Sequence, residues 1–491
     1  MNRAIIRYVL GSVLKIEAVL MLLPCIVALI YKEQEGLQFL LVAFIAGLIG
    51  IATTFKKPQN HVFYLKEGCI ITALSWIMLS IVGCVPFILT GEIPSFTDAL
   101  FETISGFTTT GASILSDVEA LSHTSLLWRS FTHWIGGMGV LVFMMAIIPM
   151  SGGSNINLMK AESPGPSVGK LVPKMRHTAR ILYLIYFVLT LVQVILLLLG
   201  DMPLFDSVAT AFGTAGTGGF GIKNSSIADY SAYIQWIVAI FMILFGINFN
   251  AYYLILYRQI KKAFTMEEIR AYLLIILAAV AIITVELVNN SMAIWDALRH
   301  STFQVASVIT TTGFATADFN HWTALSRTIL VLLMFIGACA GSTGGGIKVS
   351  RFLIVLKTVF KEISSYLHPR SVKKIKMDDK PIEHEVVRAT NVYFITFFVI
   401  FVFSLLIVSL EEKDLVTNFT AVVATINNIG PGLEMVGPTA NFGHFNPLTK
   451  WVLMFDMLAG RLELFPMLML FVPQIWMDFF ARSNKPLSEK Q

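Results

Sequence analysis

Charged residues are scarce in this sequence. They make up 14% of its 491 residues, whereas about 25% is usual for a soluble domain. Hydrophobic residues reach 56%, and the mean hydropathy is +0.73. These residues fall in runs close to the roughly 20 that a helix needs to cross a bilayer core. The composition excludes an ordinary soluble enzyme and predicts an all-α, polytopic membrane protein.

Cysteine is also scarce, and the sequence has no low-complexity tract and no Ser/Gly-rich linker. The four cysteines lie in apolar surroundings without CxxC spacing, so neither a disulfide framework nor a thiolate metal site is indicated. No span carries HExxH or a paired nucleophile and base, so an intramembrane hydrolase has little support. We therefore expect a protein that is not an enzyme, has no organic cofactor and has no nucleic-acid partner.

Ten hydrophobic runs predict ten membrane crossings. The first two form an N-terminal hairpin, which we expect to be retained because no small-residue cleavage site follows the first run. The first run covers about 9–31 and the second begins at Leu37. The other eight lie near residues 69–90, 126–149, 181–200, 232–256, 270–288, 328–355, 389–410 and 450–476.

Lysine and arginine are concentrated in three connectors, near residues 150–182, 258–270 and 357–388, which predicts that these face the cytoplasm. Both termini then lie on the cytoplasmic side of the membrane. The opposite connectors are poor in base and hold many acidic residues, among them Glu92, Asp98, Glu102, Asp117 and Glu119. These acids either form an outer vestibule that concentrates cations or are ordinary solvated residues. The net charge of +5 reflects the cytoplasmic loops.

Each outer connector contains a semi-apolar segment that ends in glycine, with an aspartate shortly before it. The aspartates, Asp98, Asp206, Asp296 and Asp414, are placed to cap a short helix or lie in its first turn. The segments are FETISGFTTTG (101–111), VATAFGTAGTG (208–218), FQVASVITTTG (303–313) and TAVVATINNIG (420–430). The first and third match at Phe, Ser, three Thr and Gly. The repeated unit is therefore a span, a re-entrant half-helix, a glycine-bearing loop and a second span.

Each unit makes two full crossings, so all four enter the membrane in the same orientation. Four parallel units indicate one axis along the membrane normal, and re-entrant loops are tolerated at membrane depth only where they are buried or line a water-filled cavity. The predicted divisions are an N-terminal hairpin (1–66) and four pore repeats (67–150, 178–262, 266–362 and 385–479). A purely structural scaffold would have no use for four such broken segments.

The glycine loops have the residues that a dehydrated cation needs. Glycine can adopt positive φ, so that successive carbonyls point toward an axis and replace the ion's water, and threonine adds a hydroxyl ligand. The alternative is that TTTG is only a helix-packing motif. The candidate K+ ligands are Thr109, Thr110, Gly111, Gly216, Thr217, Gly218, Thr311, Thr312, Gly313, Asn428, Ile429 and Gly430.

The hydrophobic run near 328–355 is interrupted by GACAGSTGGG (337–346), which predicts a loop at mid-membrane that could act as a gate. Close helix packing through small residues is the alternative, whereas a phosphate loop is excluded because GxxxxGK[ST] is not matched. Arg461 lies in the last span, where it could bind loop carbonyls and oppose cations, or form a structural pair with Asp456 or Glu463. The candidate gate residues are Gly337, Gly341, Ser342, Thr343, Gly344, Gly345, Gly346, Lys348 and Arg461.

These motifs resemble those of the membrane subunit of Trk-type potassium uptake systems, in the Trk/Ktr/HKT superfamily. Besides the four segments, the resemblance rests on WIGGMG (134–139), AESPGP (161–166), GACAGSTGGGIKV (337–349), TINNIGPGL (425–433) and GRLE (460–463). It implies four M1-P-M2 repeats around a pseudo-fourfold pore, a homodimer, and a cytosolic ring of nucleotide-binding TrkA-type regulatory subunits. It also favours potassium over sodium, because all four filter glycines are present. No segment reads TVGYG, so selectivity could be modest.

The sequence thus predicts potassium uptake across the plasma membrane through a four-glycine filter with an intramembrane gate. Sodium- or proton-coupled cotransport is the alternative.

Overall fold

A computed structural model describes residues 1–58, 64–139, 175–370 and 374–480, with side chains in the third range from residue 179 onward. The AESPGP stretch, the lysines of the 150–182 connector and the end of the 126–149 run lie outside the described residues.

The described residues form twenty α-helices and one small antiparallel hairpin. The helices are α1 (Arg3–Leu20), α2 (Leu22–Tyr31), α3 (Gly36–Thr54), α4 (Leu65–Thr90), α5 (Phe96–Phe107), α6 (His123–Gly137), α7 (Met175–Leu198), α8 (Leu204–Ala215), α9 (Ala232–Phe245), α10 (Phe249–Leu256), α11 (Ile260–Thr265), α12 (Glu267–Asn289), α13 (Ile294–Ile309), α14 (Ala324–Ile336), α15 (Val349–Leu367), α16 (His384–Val408), α17 (Leu415–Ile426), α18 (Pro447–Arg461), α19 (Phe465–Met469) and α20 (Pro473–Phe480). The hairpin pairs β1 (Lys376–Met377) with β2 (Lys380–Pro381).

Six helical stretches in the described ranges are long and apolar enough to cross a membrane, or seven if α9 and α10, bent by 89° at their junction, count as one. The six are Arg3–Tyr31, Gly36–Thr54, Leu65–Thr90, Ala179–Leu198, Glu267–Asn289 and His384–Glu411. Their apolar side chains face outward: Phe44 is 63% exposed and Phe398 65%. Surfaces of this kind are stable in lipid, which confirms a polytopic helical protein of the membrane type.

Three of the other hydrophobic runs, near 232–256, 328–355 and 450–476, are interrupted, so among the described residues the expected ten crossings are not found as ten uninterrupted spans. The run near 328–355 stops at Gly337, whose φ is +73°. The run near 450–476 is divided into α18, α19 and α20, with Glu463 and Leu464 both at φ +63° between the first two. The break at Gly337 is the one that the glycine-rich stretch predicted, whereas the break at Glu463 and Leu464 was not predicted from the sequence.

Four short helices, α5, α8, α13 and α17, lie at the centre of the fold. All begin with an acidic residue in the first turn or at the N-cap, as expected, and the Asp414 carboxylate accepts a hydrogen bond from the Thr417 N–H at 2.9 Å. Each short helix also packs against the helix that comes after another short helix in the chain. The pairs are α8 with α6, α13 with α9, α17 with α14, and α5 with α18. The last contact closes the series, so the packing order is cyclic.

Candidate ion-binding site

The four short helices end in the same backbone conformation. A Thr or Asn takes a left-handed φ of 54° to 60°, and the glycine two residues later takes a φ of 76° to 92°. The pairs are Thr109/Gly111, Thr217/Gly219, Thr311/Gly313 and Asn428/Gly430. We call the segments that contain them, residues 108–112, 216–220, 310–314 and 427–431, the glycine loops.

Backbone hydrogen bonds show which residues of the four glycine loops are equivalent. In each loop, the N–H of the residue between the two left-handed positions donates to the carbonyl five residues back, at 2.8 to 2.9 Å. The donors are Thr110, Gly218, Thr312 and Ile429. Gly219 is therefore the counterpart of Gly111, Gly313 and Gly430, and the sequence alignment that ended the second segment on Gly218 is one residue out. The sequence cannot show which of the adjacent Gly218 and Gly219 corresponds to Gly111, whereas the backbone φ does.

The glycine loops contact one another in a closed ring. An added Cβ on each glycine would lie 1.9 to 2.9 Å from a carbonyl oxygen of another loop, well inside van der Waals contact at three of the four positions. The contacts run from Gly111 to Gly218, from Gly219 to Thr312, from Gly313 to Ile429, and from Gly430 to Thr110. Glycine is required here by φ and by space, and a carbonyl oxygen of each loop lies against the glycine of another loop.

Side chains of the glycine loops are partly occupied by bonds to each other. The hydroxyls of Thr108 and Thr110 lie 2.8 Å apart, and those of Thr310 and Thr312 lie 2.7 Å apart. Asn428, which stands where the first loop has threonine, donates from Nδ2 to the Thr110 hydroxyl at 3.0 Å and to the Met457 carbonyl at 2.9 Å. The fourth quarter of the ring is thus tied to the first through an amide.

A histidine and an arginine brace the ring from behind. His133 bonds the Gly106 carbonyl through Nδ1 at 2.7 Å, and its Nε2 accepts from the Phe220 N–H at 3.2 Å, so it joins the first two repeats. Arg129 pairs with the buried Glu102 at 2.7 Å and donates to the Gly221 carbonyl at 3.0 Å. Sequence reasoning missed Arg129 and counted Glu102 among the outer acids. The sequence signal that could have identified Arg129 is its position four residues before His133 in an apolar run.

A cavity of about 170 Å³ is lined by Gly111, Gly219, Gly313 and Gly430 together with the connectors that follow the glycine loops. Its described lining residues include Lys223 but no aspartate or glutamate. Several of the connector acids bind nearby groups instead: Glu102 pairs with Arg129, and Asp98 with Lys450. The structure therefore favours the interpretation of these acids as local capping and pairing residues rather than as the wall of a vestibule.

The loop between α14 and α15, residues 337–348, lies directly against the ring on the side away from this cavity. The Gly345 N–H donates to the Thr311 hydroxyl at 2.6 Å. An added Cβ on Gly345 would lie 2.6 Å from the Asn427 carbonyl, and one on Gly344 would lie 2.9 Å from the Thr310 carbonyl. The intramembrane loop and the glycine loops are therefore in direct contact.

Two cationic side chains hold the intramembrane loop. The Lys348 ammonium donates to the carbonyls of Gly344 and Gly345. Arg461 donates to the Thr343 carbonyl at 2.9 Å and to the carbonyls of Gly136 and Gly137 at the end of α6. Asp456, a possible partner of Arg461, accepts instead from the Ser404 hydroxyl at 2.7 Å. The sequence-predicted gate residues thus lie together, in contact with the predicted ion ligands.

Comparison with known proteins identifies close relatives across the whole chain. The family profile described as TrkH, cation transport protein, matches residues 35–480. A Trk system potassium uptake protein TrkH from Salmonella typhimurium is 37% identical over 97% of this chain and 99% of its own length, and that of Escherichia coli K12 is 36% identical with the same coverage. The crystal structure of the potassium transporter TrkH from Vibrio parahaemolyticus aligns with a TM-score of 0.87 and 32% identity, covering 97% of this chain and all of the other.

Proposed function

Because the chain belongs to the TrkH family of cation transport proteins, as its motifs predicted, we propose that it takes up potassium through the ring of glycine loops. The chain is then organised as the N-terminal hairpin and four span, half-helix, loop and span repeats around a pore along the membrane normal. The plasma membrane of a bacterium, with both termini in the cytoplasm, is the location that the basic connectors favour.

The observation that carries the proposal is the cyclic contact of the four glycine loops. Each glycine packs against a carbonyl of another loop, so the ring holds its backbone oxygens at a fixed separation. Carbonyl oxygens arranged in this way replace the hydration shell of a K+ ion, and the C-terminal ends of four short helices directed at one point favour a cation. Gly216 to Gly219 would supply the second quarter of the filter.

The intramembrane loop is the proposed gate. It contacts the inner side of the ring, and the positive charges of Lys348 and Arg461 are held there by its carbonyls. In this position the loop would exclude hydrated ions and the two charges would oppose the passage of K+. Conduction would require the loop to move away from Thr311.

Assembly and control remain proposals drawn from the family resemblance. We expect a homodimer in the lipid bilayer, with a cytosolic TrkA-type nucleotide-binding subunit that acts on the gate. No observation on the described residues favours the alternative of sodium- or proton-coupled cotransport.

The test is ion flux into liposomes that contain the purified protein, comparing K+, Rb+, Na+ and Li+ for the wild type and Gly111→Ser. A serine Cβ at position 111 would lie 2.0 Å from the Gly218 carbonyl, so the ring must shift and discrimination between K+ and Na+ should fall. Gly91→Ser is the matched control, because Gly91 also has a positive φ of 78° but nothing lies within 4 Å of its added Cβ.

Flux of K+ and Rb+ well above Na+, weakened by Gly111→Ser and not by Gly91→Ser, is the expected result. Equal flux of all four ions through the wild type would contradict the proposal.

A further inference from the structure

A buried glutamate that plays no part in the proposed ion path binds both the intramembrane loop and the first turn of the helix that follows it. Glu268, the second residue of α12, is 7% exposed. One of its carboxylate oxygens accepts from the Ala340 N–H at 2.6 Å and from the Ser350 N–H at 3.2 Å, and the other accepts from Asn248 Nδ2 at 3.4 Å. Ala340 lies in the loop, and Ser350 is the second residue of the helix that follows it.

The carboxylate takes the place of a helix cap. The first N–H groups of a helix have no partner within it, and negative charge is stabilised at that end. Lys348 at the N-cap of α15 has a φ of +86° and no side-chain capping bond. Glu268, supplied by a different helix, satisfies the Ser350 N–H instead, so the position of α15 and of the loop's inner end depends on the position of α12.

The bend between α9 and α10 holds the same part of the loop. The Cys339 N–H donates to the Gly246 carbonyl at 3.1 Å, and the Phe249 N–H donates to the Gly341 carbonyl at 2.9 Å. Asn248, which lies between Gly246 and Phe249 in the chain, also donates from its side chain to Glu268. The bend and Glu268 therefore form one bracket around residues 339–341.

The bracket is connected to the surface by the small β1–β2 hairpin. Asp378 in its turn accepts from the Glu267 N–H at 2.8 Å, immediately before Glu268 in the chain. The Glu267 carboxylate pairs with Lys357 of α15, and Lys357 also donates to the Lys376 carbonyl at 2.7 Å. A displacement of the hairpin would therefore be transmitted to the residue that holds the loop.

We propose that Glu268 is a positioning residue that holds the intramembrane loop against the glycine loops, and that the β1–β2 hairpin sets its position through Asp378. This inference rests on the proposed role of the loop as a gate. It assigns the closed position of the loop to a carboxylate from α12, the first helix of the same predicted repeat, in addition to the bonds of Lys348 and Arg461.

The first measurement is K+ and Na+ flux of Glu268→Gln in liposomes, with the exposed Glu362→Gln on α15 as the matched control. Glutamine keeps one oxygen for the Ala340 and Ser350 N–H groups but carries no negative charge, so both bonds weaken, and its amide nitrogen cannot accept from Asn248. The loop should therefore leave its position more often. We expect K+ flux to rise about fivefold or more, with the K+ to Na+ ratio unchanged because the ring is intact. If the wild type is K+-selective and Glu268→Gln has the same K+ flux as the wild type, this inference is overturned while the proposed function stands.

The second measurement follows the loop itself through Cys339, which is buried within it. Replacing Cys25, Cys69 and Cys84 with serine leaves Cys339 as the single thiol. Two thiol reagents, a small and a bulky methanethiosulfonate, are compared, because a change in thiolate fraction alters both rates equally, whereas movement of the loop favours the bulky one. We expect Glu268→Gln to raise the bulky-to-small rate ratio about threefold or more, and an unchanged ratio would contradict a movement of the loop.

Asp378→Asn provides a variant outside the membrane, in case Glu268→Gln does not fold. Asparagine tolerates the φ of +50° at this position but is a weaker acceptor for the Glu267 N–H. We expect a smaller rise in K+ flux, of about twofold, and a parallel rise in the Cys339 rate ratio. Flux and rate ratio equal to those of the wild type would show that the hairpin does not set the position of Glu268.

Discussion

At the residue scale, the ring depends on side chains that are not themselves candidate ion ligands. His133 is fully buried, and its two ring nitrogens bond the Gly106 carbonyl and the Phe220 N–H. An added Cβ on Gly218 would lie 2.2 Å from Cγ and Nδ1 of His133, so the imidazole also sets how far the second glycine loop extends. One side chain thus fixes the spacing between two quarters of the ring.

We predict that His133→Ala weakens discrimination between K+ and Na+ and lowers stability. The change leaves the buried Phe220 N–H without its partner, at a cost of about 1–3 kcal/mol, and opens space behind Gly218, whereas the Gly106 carbonyl keeps its bond from the Thr109 N–H. Flux ratios in liposomes and the unfolding temperature in detergent measure the two effects. His321→Ala is the control, because the His321 side chain is 85% exposed. A His133→Ala protein with the wild-type flux ratio would show that the spacing is set elsewhere.

At the element scale, the intramembrane loop differs from the glycine loops in what fixes its shape. The glycine loops are held by regular hydrogen bonds to the short helices that precede them. The intramembrane loop is held by its own Lys348, by the Arg461 and Glu268 side chains, and by backbone bonds to Gly246 and Phe249. A segment that depends on a few specific bonds can change position when one is lost, whereas the ring is over-determined.

We predict that Lys348→Met increases K+ flux several-fold, because the loop loses stabilisation on the order of 1–2 kcal/mol. Methionine is of similar length but has no donors, so the carbonyls of Gly344 and Gly345 lose their partner and a fixed positive charge is removed from beneath the ring. The measurement is K+ flux in liposomes, with Lys361→Met on α15 as control. A flux that is equal to or lower than that of the wild type would argue against Lys348 as part of the gate.

At the scale of the whole molecule, the N-terminal helices α2 and α3 are attached to α6 through a carboxylate. Glu33, between α2 and α3, accepts from the backbone N–H groups of His123 and Thr124 at the start of α6, both at 2.9 Å, and from the Thr124 hydroxyl at 2.6 Å. Burial alone would raise the pKa of Glu33, but these hydrogen bonds outweigh it and lower the pKa from its ordinary value. The ionised form is therefore favoured in the folded protein.

We predict that Glu33→Gln lowers the unfolding temperature and that the difference from the wild type depends on pH. Since the folded-state pKa lies below the unfolded value of about 4.3, the stabilisation is fully present above that pH and is lost as the pH falls through the folded pKa. The measurement is the unfolding temperature in detergent from pH 7 to pH 3. Glu35→Gln, in the same connector, is the control. A difference that stays constant over this range would contradict the assignment.

The sequence by itself determined the class of protein, the four glycine-ended segments and the interruption of the third repeat. These features follow from local chemistry: a bilayer requires long apolar runs, and runs of glycine break a helix wherever they occur. The family followed from the same motifs. Asp414 at the start of α17 was also predictable, because a cap acts on the residues beside it.

Only the tertiary structure decided which groups meet. It placed Gly219 rather than Gly218 beside Gly111, Gly313 and Gly430 in the ring, because backbone φ and contacts between loops distinguish two adjacent glycines that sequence cannot. It paired Glu102 with Arg129 and directed Glu268 to the intramembrane loop, across 27 and 72 residues respectively. A carboxylate in sequence has the same chemistry wherever it lies, and only the packing of distant helices determines whether it faces water, an arginine or the N–H groups of a loop.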